Sequence, residues 1–150
     1  MMTPKITMTE TPEAHLKQAI VAPLARFNKA QSGHREDYRR LAILISHPAT
    51  DEIVGGLWGE TVYSYLHVDV LFVPEFLRGI GIGRQLIMQA ESEAVRRGCS
   101  GAWLDTYSFQ ARGFYERLGY TVFGTIADYP PGHSRFFLQK VLSSESGATA

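Results

Sequence analysis

The chain has one cysteine, Cys99, in 150 residues, so no internal disulfide can form and a reducing compartment is expected. Cys99 itself reads as a small buried apolar residue at the start of a strand rather than as a nucleophile. No stretch approaches the ~20 consecutive apolar residues needed to span a bilayer. The N-terminus shows neither the basic start nor the long apolar run of a secretion signal. A cytoplasmic protein without a membrane partner is therefore expected. A surplus of charge is missing too, because fifteen Lys and Arg balance fifteen Asp and Glu. With no basic excess to follow a phosphate backbone, a nucleic-acid partner is not expected. His15, His34, His47, His67 and His133 never pair at zinc-site spacing, so no metal centre is expected. Asp128, His133 and Ser134 contain the letters of a hydrolytic triad, but they crowd one loop with no nucleophile elbow. Internal repeats and linkers are also missing.

What remains is an ordinary globular balance, 45% apolar and 20% charged, in a chain long enough to bury roughly two thirds of its unfolded surface as one domain. Lys5 to Met8 reads as a short strand. A helix is expected from about Thr11, with Leu16, Ile20, Leu24 and Phe27 at helical spacing. Residues 28–39 are polar and read as a loop or short helix. Strands are expected at Leu41–Ser46 and Ile53–Trp58, the latter with a Gly55-Gly56 pair that marks a bulge or close backbone approach. Val62 to Val73 reads as one long strand, with Tyr65, His67 and Asp69 on one face and Leu66, Val68, Val70 and Phe72 on the other. Gly83 to Arg97 is the clearest helix, striped by Leu86, Ile87, Ala90 and Ala94 and ended by Gly98. A strand at Ala102–Thr106, a helix at Gln110–Leu118 and strands at Tyr120–Ile126 and Ser134–Val141 follow. This alternation argues for an α/β fold with a mixed sheet. The domain is expected to span residues 1–142, with a small polar tail over 143–150 that is expected to be disordered.

The densest chemistry lies in Val73-Pro-Glu-Phe-Leu-Arg-Gly-Ile-Gly-Ile-Gly-Arg84. A strand ends, glycines stand at 79, 81 and 83, and an amphipathic helix begins. Glycine lets backbone approach a ligand closely, and a helix start offers unpaired N–H donors with a partial positive charge. Arg78 and Arg84 add cationic help. The segment is thus an anion site. The dinucleotide fingerprint fails because a glycine stands at 83 rather than 84, and the P-loop fails because no Gly-Lys-Ser/Thr occurs.

Arg78-Gly79-Ile80-Gly81-Ile82-Gly83 does resemble the pyrophosphate-binding signature of the GNAT acetyltransferases. A second segment resembles the other signature of that family, through Ala111, Phe114, Tyr115, Leu118, Gly119 and Tyr120. Ser108 stands where many members carry asparagine. The resemblance covers about residues 40 to 141 and implies a single-domain fold. Its sheet would be mixed and mostly antiparallel, with about six to seven strands and helices on both faces. It also implies acetyl-CoA as donor, with cofactor contacts at Leu71, Phe72, Val73, the 78–84 segment, Ser108, Ala111, Phe114 and Tyr115. A homodimer is implied as well.

By the same resemblance Tyr115 protonates the departing thiolate. A phenol with a pKa near 10 keeps its proton at neutral pH and can donate it, although packing beside Phe114 would also explain the residue. Backbone N–H groups around Leu71 to Val73 would stabilise the oxyanion. An alkylammonium must lose a proton before it attacks, and Asp69, His67 or a water chain are the candidate routes. The acceptor pocket is expected from Phe27, Tyr38, Trp58, Asp128, Tyr129 and His133, an aromatic and acidic mix suited to a small amine. The leading expectation is an acetyl-CoA-dependent N-acetyltransferase for a small-molecule amine. The alternatives are a protein lysine or N-terminal acetyltransferase and a non-catalytic acyl-CoA sensor.

Overall fold

A computed structural model describes residues 1–143, which divide into two compact units between Glu36 and Asp37. In the first unit, helix α1 (Ala14–Ser32) ends where Gly33 turns left-handed at φ +74° and donates its N–H to the Lys29 carbonyl. The helix runs further than the sequence suggests. Residues 28–32 complete it, and Asn28 Nδ2 and Glu36 Oε1 close the following loop at 2.7 Å. Lys5 to Met8 forms no strand. Its alternation is genuine, but strand N–H and C=O groups need a neighbouring strand, and Ile6 and Met8 stand exposed.

The second unit is built on a six-stranded sheet, ordered β1-β2-β3-β4-β6-β5. The strands are β1 (Arg39–Ser46), β2 (Ile53–Val62), β3 (Tyr65–Phe72), β4 (Gly101–Tyr107), β5 (Thr121–Ala127) and β6 (Ser134–Val141). Only β3 and β4 run parallel; the other four pairings are antiparallel. Helix α2 (Ile82–Arg96) joins β3 to β4, and the short α3 (Arg112–Arg117) joins β4 to β5. This is the α/β, mixed and mostly antiparallel sheet that the sequence implies.

The expected long strand from Val62 is in fact a hairpin end followed by β3. Tyr63 and Ser64 both take left-handed conformations, at φ +49° and +65°, which is the geometry of a two-residue hairpin turn. Such turns favour Asn-Gly, so Tyr-Ser gives no warning of one. A second correction concerns the faces of β3. Trp58 pairs with Val70 while Gly59 pairs with Val68, leaving Asp69 as an extra, bulged residue. Beyond the bulge the alternation inverts. Val70 and Phe72 therefore join the face of Tyr65 and His67, and both are about half exposed, while Leu71 turns to the core.

The core lies between one face of the sheet and the two helices. Leu57, Leu66, Val68, Ala102, Leu104 and Leu138 meet Leu86, Ile87, Ala90 and Ala94 of α2 and Tyr115 of α3. Each fully buried Leu or Ile contributes roughly 1.5–3 kcal/mol, and the two alanines, both at 0% exposure, let α2 lie close to the sheet. The helix end is clamped by Arg97. Its guanidinium donates to the carbonyls of Arg39 and Arg40 and to Thr61 Oγ1, at 3.0, 3.1 and 3.2 Å. Gly98 then turns left-handed at φ +86°. Cys99 is buried as expected, and burial raises its thiol pKa. Helix α3 is shorter than Gln110–Leu118 because the Gln110 side chain closes the preceding turn, accepting the Tyr107 N–H at 2.8 Å. The expected tail falls, apart from Ser143, outside the described residues.

Candidate active site

The glycine segment folds into an open cradle. Gly79 and Gly81 are left-handed at φ +81° and +86°, and a Cβ at either would meet nothing within 4 Å. Their role is therefore conformational, and the space above them is free. Gly81 is the N-cap of α2, and no side chain caps that end. The first N–H groups of the helix thus remain available to an anion. Arg84 lines the space beside Gly81. Arg78 is steered by its own loop, its Nε donating to the Val73 carbonyl at 2.8 Å. Gly83 serves another purpose, since a Cβ there would come to 3.1 Å from the Phe114 ring. The first turn of α2 thereby packs directly on α3.

A groove of about 920 Å³ runs between α2 and α3, lined among others by Arg84, Met88, Ser92, Phe114 and Arg117. Its inner wall holds a satisfied polar trio, in which Glu91 accepts from Tyr120 Oη at 2.9 Å and from Lys140 Nζ at 2.8 Å. On the sheet side, pairing between β3 and β4 stops at Val68 and Leu104. Beyond that point the two parallel strands part, and the edge of β3 facing β4 has no strand partner among the described residues. Leu71, Phe72 and Val73 lie on this freed stretch, where backbone N–H and C=O groups can take an extended polar ligand.

Tyr115 stands in α3 one residue after the ring that packs on Gly83. It is 8% exposed and edge-on to Phe114 and Tyr120, with ring centroids 5.0 and 6.2 Å away. Burial, and next the negative charge of Asp105, push its pKa up to about 12. The hydroxyl is thus held in the protonated form an acid needs. Ala111 anchors the first turn of α3, its carbonyl accepting from the Phe114 N–H at 3.0 Å.

The two base candidates differ in setting. Asp69 is the exposed, bulged residue at the lip where β3 leaves β4. His67 stacks flat on Trp103, centroids 3.8 Å apart, and its Nε2 is buried with no hydrogen-bond partner. Ser108 is engaged by the β5–β6 loop: its Oγ accepts from the Ser134 N–H at 3.0 Å and lies 3.3 Å from His133 Nδ1. That contact draws His133 and Tyr129 to the end of β4, and Asp128 begins the same loop at φ +54°. Trp58 lies opposite Val70 on the half-exposed face. Tyr38 precedes β1 at the end of the sheet where β3 begins, because Arg39 pairs with Thr61 and Thr61 with Leu66. It is thus a strand's length from the opening. Phe27 belongs to the first unit.

Two side chains that sequence reasoning passed over sit at the opening. Asp105 is one residue past the last β3–β4 pair, and its Oδ2 accepts from Arg135 Nε and Nη2, both at 2.7 Å. The signal was a carboxylate inside the apolar strand Gly101–Tyr107, legible only once its register against β3 is known. Among the described residues no group of three His, Cys, Asp or Glu is placed to hold a metal ion, and no helix is long and apolar enough to cross a membrane.

The model of the Acetyltransferase (GNAT) family matches residues 8–120. An acetyltransferase of Agrobacterium fabrum is 39% identical over 133 residues, covering 89% of this chain and 96% of that protein. Blasticidin-S acetyltransferase of Streptomyces morookaense is 46% identical over 92 residues, covering 61% of this chain and 68% of that protein. The crystal structure of an acetyltransferase from Bacillus cereus is 30% identical with a TM-score of 0.79, over 91% of this chain and 98% of that one.

Proposed function

The chain belongs to the GNAT acetyltransferase family and takes acetyl-CoA as its acyl donor, and from that premise we propose that it acetylates a primary amine of a small molecule directly. When bound, acetyl-CoA supplies an activated thioester. The residues present fit it. The uncapped start of α2, with Gly79, Gly81, Arg78 and Arg84, holds the diphosphate, and the free edge of β3 at Leu71 to Val73 orients the rest of the chain toward Tyr115. As the amine nitrogen bonds to the acetyl carbon and the C–S bond breaks, Tyr115 Oη gives its proton to sulfur. Asp69 takes the proton lost by the amine, directly or through water. His67 suits this less well, since its buried Nε2 has no partner to pass a proton to.

The observation that carries the reading is the seam between α2 and α3. Gly83 packs on Phe114, which places a buried, protonated tyrosine beside the anion cradle. A small acceptor is supported by the aromatic and acidic opening and by the relative named for blasticidin S. On the same proposal the enzyme works in the cytoplasm, and it pairs as a homodimer. Thiol release from acetyl-CoA, measured against small amines, a lysine peptide and a free N-terminal peptide, tests the acceptor. Turnover confined to the peptides would refute the small-molecule assignment, and CoA binding without any turnover would refute catalysis.

A further inference from the structure

The face of the sheet opposite α2 carries a cluster that the cofactor does not need. Residues 103, 105 and 107 of β4 alternate with the buried Ala102, Leu104 and Thr106, so Asp105 and Tyr107 point away from the helices. Arg135 lies directly across from Tyr107 on β6, and its guanidinium carbon is 5.4 Å from the ring centroids of both Tyr107 and Tyr129. Tyr107 in turn stacks between two further rings. Phe109 is 5.2 Å away with planes 7° apart, and Tyr129 is 5.9 Å away with planes 10° apart. Phe109 and Tyr129 are 56% and 44% exposed. An exposed ladder of three parallel rings beside a fixed carboxylate is uncommon on a surface with no ligand to bind.

The location gives this cluster a task. The groove between α2 and α3 takes the cofactor on one face, so an amine must approach the opening from the other face. Asp105 sits at that opening. Its negative charge helps to raise the pKa of Tyr115. Arg135 occupies one carboxylate oxygen and so holds the group in a single orientation.

We propose that Asp105, oriented by Arg135, receives the acceptor's ammonium, and that the Tyr107–Phe109–Tyr129 ladder stacks a flat aromatic group carried by the same molecule. The acceptor class is then a primary amine with a planar, π-conjugated body a few bonds from the nitrogen. This rests on the small-amine transferase reading and narrows it.

Calorimetry on the full chain saturated with CoA separates the two parts. The probes are tyramine, its hydroxyl analogue tyrosol, and hexylamine. Wild type should prefer tyramine over tyrosol by roughly 10-fold or more, the effect of a charge-assisted hydrogen bond. It should prefer tyramine over hexylamine by roughly 3- to 10-fold, from ring stacking. Asp105→Asn should erase the first preference alone. Phe109→Ala should erase the second alone, with Phe109→Tyr restoring it; this exposed position tests the ladder even if the Asp105 variant folds poorly. CoA affinity should stay within about twofold throughout. Equal affinity of wild type for all three probes would overturn the proposal, as would variants that weaken every probe and CoA in parallel. Thiol release run alongside keeps the two readings apart. Equal turnover of both amines with no binding preference removes the subsite and leaves the transferase, whereas a binding preference without thiol release removes the transferase and leaves the subsite.

Discussion

Tyr115→Phe is the sharpest probe of the mechanism because it removes one oxygen and keeps the ring. The side chain is 8% exposed and packed edge-on against Phe114 and Tyr120, so the variant should fold and bind acetyl-CoA within about twofold of wild type. Turnover should fall by about 10²-fold or more, the usual contribution of a positioned acid. The pH dependence adds a second constraint. Moving the pKa from 10.0 to about 12 corresponds to roughly 3 kcal/mol in favour of the neutral phenol. The wild-type rate should therefore show no descending limb from Tyr115 until well above pH 10. Stability carries the same signature. The raised pKa leaves the fold unaffected below pH 10, where the unfolded tyrosine is still neutral. Between about pH 10 and 12 the unfolded chain ionises first, so wild type loses stability that the phenylalanine variant keeps. Thiol release under single-turnover conditions, with denaturant melts across that window, measures both. A variant turning over within about twofold of wild type, with chemistry shown to limit the rate, would remove Tyr115 from the mechanism; a descending limb centred near pH 10 and traced to Tyr115 would show that burial does not hold its proton.

Gly81→Asp sets a carboxylate in the open space above the cradle at φ +86°. It should lower Tm by a few degrees through backbone strain and abolish CoA binding; calorimetry showing unchanged affinity in the folded variant would reject the cradle. Asp69→Asn should slow turnover of a protonated amine most at neutral pH, with recovery as the amine deprotonates, whereas His67→Gln should leave that profile unchanged; the reverse pattern would move the base to His67. Arg97→Ala removes three hydrogen bonds between the end of α2 and strands β1 and β2 and should cost about 3 kcal/mol in urea melts, without altering relative rates among amines at temperatures where the variant is folded.

The cradle was legible because its glycines answer to demands that few other residues meet: left-handed φ values at Gly79 and Gly81, and at Gly83 a contact that a methyl group would crowd to 3.1 Å. The stripe of α2 was legible for a similar reason, since a 3.6-residue period survives in any context. Other features depend on partners that a single segment does not reveal. The Tyr63-Ser64 turn is imposed by pairing of β2 with β3, and the bulge at Asp69 appears only in the register between them, yet it decides which way Val70 and Phe72 face. Asp105 and Arg135 are thirty positions apart in the chain and meet through the antiparallel pairing of β4 with β6. Neither could be recognised as half of a pair from its own neighbours. Ser108 shows a further dependence on distant partners, because its motif position says nothing of the bond its hydroxyl accepts from the Ser134 N–H, 26 positions away.

The seam at Gly83 has a mechanical consequence. Only the hydrogen of Gly83 stands between the first turn of α2 and the Phe114 ring beside Tyr115, so the two helices touch directly at this point. Growing that hydrogen into a methyl would wedge them apart by tenths of an ångström, and affinity and turnover would decline together.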